Sequence, residues 1–138
     1  MELPEKYIVE LNNFQKAVQS FEKGLTVSFD LDETGMDLIK NGQIQKFEYC
    51  TELAWKVSKM FLELDTGILA GSPKMVYKGL FQSRLIDESH YLALFETIEH
   101  RNMLSHIYKE EMYDIVYADL SKHLLALKKL ADILASPD

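Results

Sequence analysis

A short polar segment late in the chain carries the residue types best suited to chemistry. The segment "HRNMLSHIYKEE" places five such side chains within eight positions: Arg101, Asn102, Ser105, His106 and Tyr108. An arginine guanidinium is a permanent cation whose forked donors match phosphate. A histidine imidazole titrates near neutral pH and can act as an acid or a base. Arginine and histidine without a metal suit phosphodiester transfer from a ribose 2′-hydroxyl, with serine and asparagine as orienting donors.

Other kinds of site leave no signature in the sequence. We find no Ser-His-Asp pattern, no glycine-rich phosphate loop and no His/Cys spacing typical of a metal site. His100 and His106 are six positions apart, which is neither one helical turn nor a known metal motif. We therefore expect neither a metal nor a cofactor.

The polar segment continues a face that is apolar one turn earlier. At about 100° per residue, Leu94 and Ile98 lie on the same side of a helix as Arg101 and Ser105. Burying such polar groups without partners would cost several kcal/mol. Two explanations stay open. The groups satisfy one another as a structural network, or they line a cleft for an anionic or nucleotide ligand at the bundle end or at a dimer interface.

Helical periodicity dominates the rest of the chain. A first helix is indicated from Ile8 to Phe21, with Gly24 as its end, and a second helix begins near Asp37 and ends before Gly67. The second helix is apolar over a wide arc that includes Leu64. Residues 25–36 contain the alternating Leu25, Val27, Phe29 and Leu31. They are interpreted as a connection, because a lone strand would have no partner.

The second half of the chain predicts three more helices. Ser72 and Pro73 read as an N-cap and first helical position of a short helix over 73–85. Asp87 or Ser89 opens the helix that carries the polar segment, and a final helix spans 110–134. Together the pattern predicts an all-α bundle with four main helices and one extra short helix.

Composition narrows the class of protein. The 138 residues, 47% of them hydrophobic, fit one domain over 1–138 with a sizeable core. No apolar run approaches a membrane span, and the first residues lack the features of a signal peptide. A single cysteine, Cys50, excludes an internal disulfide, so we expect a cytoplasmic protein. The formal net charge of −7 disfavours generic DNA binding and broad membrane attachment.

The chain resembles a known family at three blocks in order. Arg101-x4-His106-x-Tyr108 matches the R-x4-H motif and H-x-Y extension of the HEPN (higher eukaryotes and prokaryotes nucleotide-binding) superfamily. The surrounding blocks are similar to those of the small nucleotidyltransferase substrate-binding proteins: "IQKFEYCTELAWKVSKMFLE", "SPKMVYKGLFQSRLID" and "RNMLSHIYKEEMYDIVY". In this subfamily, threonines often stand where Leu104 and Ile107 stand here.

This resemblance implies an up-and-down four-helix bundle that forms a dimer, with the motif helices facing each other across the interface. It also implies a separately encoded minimal nucleotidyltransferase as partner. It implies two functions. The chain is the substrate-binding subunit of that enzyme, holding nucleotide or RNA at Arg101 and His106 with Asn102, Ser105 and Tyr108. Alternatively, it is a metal-independent ribonuclease toxin with Arg101 and His106 as catalytic residues, silenced by addition of AMP to Tyr108.

A third hypothesis, drawn from the residues alone, is a structural dimeric interaction protein whose polar cluster only specifies association. Spacing leaves open whether the chain is an enzyme.

Overall fold

The chain folds into six helices in this computed structural model, which describes residues 2–27, 30–106 and 110–136, with His106 by its backbone alone. No strand occurs within these ranges, and the predicted all-α fold is confirmed. The helices are α1 (Glu5–Leu25), α2 (Glu33–Thr66), α3 (Pro73–Gln82), α4 (Glu88–His106), α5 (Glu110–Ala118) and α6 (Leu120–Ala135). No helix in the described part of the chain combines the length and the hydropathy that crossing a bilayer requires.

Aromatic side chains set the relative directions of the long helices. Ring centroids lie 6.0 Å apart for Tyr7 and Phe61 and 6.2 Å apart for Phe21 and Phe47, so α1 and α2 run antiparallel. The Tyr7 hydroxyl, near the start of α1, donates a 3.0 Å hydrogen bond to the carbonyl of Leu134 near the end of α6. The helices α1, α2, α4 and α6 thus alternate in direction around one core, as predicted for an up-and-down bundle.

Local capping explains where several helices begin and end. Gly67 ends α2 in the left-handed region, with φ of 76°, which a glycine adopts without a steric penalty. The Ser72 hydroxyl accepts a hydrogen bond from the backbone N–H of Met75 at the start of α3. The Asp87 carboxylate accepts one from the N–H of His90 at the start of α4. These three predicted helix limits are confirmed.

Other predicted limits were wrong for identifiable reasons. Helix α2 begins at Glu33 rather than near Asp37, because the Asp32 carboxylate accepts from the N–H of Gly35 and caps it there. Helix α3 ends at Gln82, since Arg84 adopts a positive φ of 61° soon afterwards.

The predicted final helix over 110–134 is two helices, α5 and α6, separated at Asp119. The N–H of Asp119 bonds the carbonyl of Val116 in a tight turn, which interrupts the α-helical ladder. Two predicted core positions also face solvent: Ile8 is 44% exposed, with Tyr7 buried in its place, and Leu64 is 40% exposed.

The single cysteine lies inside the bundle. Cys50 is fully buried on α2 and unpaired. Burial raises the pKa of its thiol to about 12, because the thiolate would lose its hydration.

Replacing Phe47 by alanine should destabilise the whole bundle. Phe47 is fully buried on α2, near Phe21 of α1, and its ring stacks on the imidazole of His123 of α6 at 4.9 Å. We expect Phe47→Ala to lower the free energy of unfolding by about 3–5 kcal/mol, measured by urea denaturation. The control Tyr49→Ala, on the same helix but 61% exposed, should change it by about 0.5 kcal/mol or less. Equal losses in both variants would contradict this packing.

Candidate functional site

Helix α4 carries the first part of the predicted site in its last turns. Upstream, Leu94 and Ile98 are buried, so the predicted apolar face is confirmed, and Tyr91 and Phe95 beside them are partly buried. The polar residues that follow are less buried. The face therefore turns from the core toward solvent where Arg101 begins the motif.

Arg101 lies beside acidic side chains of α2 and pairs with one of them. Its Nη2 lies 2.8 Å from Oε2 of Glu52, and the two groups form an ion pair. The two side chains are 35% and 29% exposed. Burial raises the pKa of the nearby Glu48 carboxyl, and the positive charge of Arg101 opposes part of that rise. The guanidinium thus already has a carboxylate where a phosphate would bind.

The remaining predicted residues are not brought into one cluster by the described structure. The Ser105 hydroxyl is exposed and donates a 3.2 Å hydrogen bond to the carbonyl of Arg101 one turn earlier. Asn102 is half-buried beside it. The His106 side chain and all of Tyr108 lie outside the described residues, so the geometry of the R-x4-H pair remains a prediction.

A second polar cluster lies directly before the motif and joins α4 to α6. His100 Nδ1 and His123 Nε2 are 2.7 Å apart, and both rings are buried. Burial, with a smaller contribution from His100, lowers the pKa of His123 to about 4. Glu96 completes the contact, with Oε1 3.7 Å from His100 Nε2 and Oε2 3.0 Å from Lys122 Nζ.

Sequence reasoning missed this cluster because it compared His100 only with His106. The informative spacing was four, not six. Glu96 and His100 are four apart, and so are Asp119 and His123. In a helix, residues four apart share a face, so two acid-x3-His pairs were the available signal.

A groove of about 560 Å³ lies elsewhere, between α1 and α2. Lys16 and Lys46 give it a basic character, and Tyr49 adds an aromatic ring. Of the described residues that line it, none belongs to the predicted site, so the groove gives the motif no support.

The ion pair between Arg101 and Glu52 should contribute little to folding, because both side chains are partly exposed. In a double-mutant cycle of Arg101→Gln and Glu52→Gln, we expect a coupling free energy of about 0.2–1 kcal/mol, measured by urea denaturation. Glu52 also pairs with Lys56 at 3.3 Å one turn along α2, so a cycle with Lys56→Gln is the matched control. A coupling of about 3 kcal/mol or more would instead identify Arg101 as part of a structural network.

Comparisons with known proteins cover nearly the whole chain. The sequence model of a family described as "Nucleotidyltransferase substrate binding protein like" matches residues 9–136. A search of curated proteins found no match.

Solved structures share the fold. A protein of Thermus thermophilus superposes with a TM-score of 0.76 at 19% identity, covering 88% of this chain and 98% of that chain. A tri-AMPylated Shewanella oneidensis HEPN toxin, solved in complex with an MNT antitoxin, gives 0.78 at 17% identity, covering 97% and 99%. A toxin–antitoxin structure with AMP-PNP gives 0.77 at 16% identity, covering 96% and 99%. At such identities the likeness is one of fold alone.

Proposed function

Because the chain belongs to the nucleotidyltransferase substrate binding protein like family, we propose that it is the substrate- or nucleotide-binding subunit of a separately encoded minimal nucleotidyltransferase. The family match over residues 9–136 is the observation that carries this proposal. The formal net charge of −7 supports docking onto a basic protein partner better than open-ended RNA binding.

The ligand would bind at the end of α4. Arg101 is the group that attracts it, because its guanidinium is partly exposed and is paired with the single carboxylate of Glu52. A phosphate carries more negative charge and more acceptor oxygens than that carboxylate, so it can displace Glu52. Asn102 and Ser105 would orient the ligand, and His106 and Tyr108 would complete the cleft.

We place this cleft near the interface of a homodimer, with the two α4 helices facing each other. Half-buried and exposed polar residues at the end of α4, Asn102 and Ser105, fit a surface that a second copy covers. Each ligand would then meet residues of both copies, so dimer formation and ligand binding would support each other.

One observation favours a second function, a metal-independent ribonuclease. A fold relative is a HEPN toxin that is AMPylated and bound to an MNT antitoxin. In this function, His106 of one copy takes the proton of a ribose 2′-hydroxyl as its oxygen attacks phosphorus, while Arg101 stabilises the phosphorane. The bond to the 5′-oxygen breaks, and the histidine of the other copy protonates that oxygen. AMP on Tyr108 would then block the cleft.

Two measurements on one preparation separate these functions. The chain is first checked by intact mass to confirm that Tyr108 is unmodified, and is then incubated with RNA in excess EDTA beside His106→Ala. For a binding subunit we expect intact RNA in both samples. We also expect AMP binding in a calorimetric titration, weakened about tenfold or more in Arg101→Ala by the loss of a charge-assisted hydrogen bond.

The control for charge alone is Lys78→Ala, an exposed lysine on α3 that should leave AMP binding unchanged. If the wild type cleaves RNA to products with cyclic phosphate ends and His106→Ala does not, the chain is a ribonuclease rather than a binding subunit. If the wild type neither cleaves RNA nor binds AMP, and Arg101→Ala weakens the dimer, the chain is a structural interaction protein.

A further inference from the structure

We propose that Glu96, His100, Asp119 and His123 form a binding site for a divalent transition metal ion, and that Zn²⁺ is the ion they fit best. One potential ligand atom from each residue lies within 4.8 Å of the other three. This site is separate from the Arg101 cleft, and the inference does not rest on the proposed function. It also departs from the expectation, drawn from the sequence, that the chain holds no metal.

Two helices bring the four residues together by the same local geometry. Glu96 and His100 are one turn apart on α4, and Asp119 and His123 are one turn apart at the start of α6. Residues four apart lie on one helical face, so each helix presents an acid and an imidazole. Because α4 and α6 run antiparallel, the two pairs meet face to face and can enclose one ion.

The two imidazoles are already close enough to share an ion. Their nearest nitrogens are 2.7 Å apart, which requires a proton on one ring and a lone pair on the other. Bound to a tetrahedral zinc with arms of about 2.0 Å, the nitrogens would be about 3.3 Å apart. For the two imidazoles the required opening is a fraction of an ångström. The four ligand atoms lie within 4.8 Å of one another, so the carboxylate oxygens would approach the ion by side-chain rotation.

The donor set matches the charge and the chemistry of zinc. Two neutral imidazoles and two carboxylates give an N2O2 set with two negative charges, which neutralise a divalent ion. Imidazole favours transition metals over Ca²⁺ and Mg²⁺, which prefer oxygen ligands alone. Four protein ligands also fill a tetrahedral shell, which is the arrangement of structural rather than catalytic zinc sites.

The carboxylates of Glu96 and Asp119 each have an oxygen available to bind a metal ion. Glu96 uses Oε2 to bind Lys122 at 3.0 Å. In the described part of the chain, its Oε1 has no other close contact than His100 Nε2 at 3.7 Å, the nitrogen that His123 does not contact. Asp119 occupies the N-cap position of α6, where an aspartate usually accepts a backbone hydrogen bond. Among the described residues its side chain makes no such capping bond. The break between α5 and α6 therefore leaves an acid free to ligate, and Lys122 would orient the other acid.

A metal ion bound at this site would crosslink α4 to α6. Both imidazoles are buried, and His123 stacks on Phe47 in the core, so the ion would be anchored to rigid parts of the bundle. Arg101 follows His100 directly in α4. The ion would thus fix the backbone of α4 next to Arg101, without contacting a nucleotide bound in the cleft.

The test is a metal titration of tag-free protein that has been dialysed against EDTA and then freed of the chelator. Titrated with ZnCl₂ in a calorimeter, the wild type should bind one ion per chain and show a higher melting temperature. Titrated with Co²⁺, it should develop the intense visible absorption of tetrahedral cobalt. Asp119→Asn and His123→Gln should each weaken zinc binding about tenfold or more.

Glu99→Gln is the matched control, because Glu99 lies on α4 and pairs with Lys74 instead of facing the histidines. It should bind zinc as the wild type does. Circular dichroism identifies variants that fail to fold. If His123→Gln is one of them, Asp119→Asn and Glu96→Gln, which change less buried side chains, decide the question.

Wild-type protein that binds no zinc would overturn the proposal, and so would binding that all three ligand variants retain. The RNA and AMP measurements do not depend on this result, so the two proposals can fail separately.

Discussion

The contact between α4 and α6 is the constraint on which the position of the motif depends. Polar side chains connect these two antiparallel helices at three successive positions along their length. His90 Nε2 lies 2.9 Å from the carbonyl oxygen of Ala126, Lys122 binds Glu96, and the rings of His100 and His123 share a hydrogen bond. Buried polar groups without partners are costly, so a shifted register would leave several of them unsatisfied at once. The contact is therefore specific in a way that leucine packing alone is not.

The contact between α4 and α6 meets the aromatic core at His123. His123 is both the hydrogen-bond partner of His100 and the ring that stacks on Phe47. The aromatic pairs between α1 and α2 position Phe47, which stacks on His123. His123 in turn bonds His100 and so positions the end of α4. Arg101 is then positioned by the backbone of α4 and by Glu52 of α2. Arg101 is thus supported by helices on two sides.

Local rules predicted most of the fold, and long-range contacts account for much of what was missed. Gly67, Ser72 and Asp87 act within a few residues of their own positions, so the sequence was enough to locate those helix limits. The burial of Tyr7 in place of Ile8 depends on contacts with Phe61 and with the carbonyl of Leu134, both on distant helices. The break at Asp119 is a local turn that helical periodicity did not predict. For the site, spacing identified Arg101, but nothing local indicated that Glu52 would be its partner. The two acid-x3-His pairs were each visible, yet their meeting requires the tertiary fold.

The burial of Cys50 has a consequence for how the protein responds to oxidants. The thiolate is the reactive form of cysteine, and a pKa of about 12 leaves almost none of it near neutral pH. Since the chain has no other cysteine, disulfide exchange and thiol modification have no accessible target on the folded protein. Any control of this bundle by thiol–disulfide exchange would have to act through a partner protein.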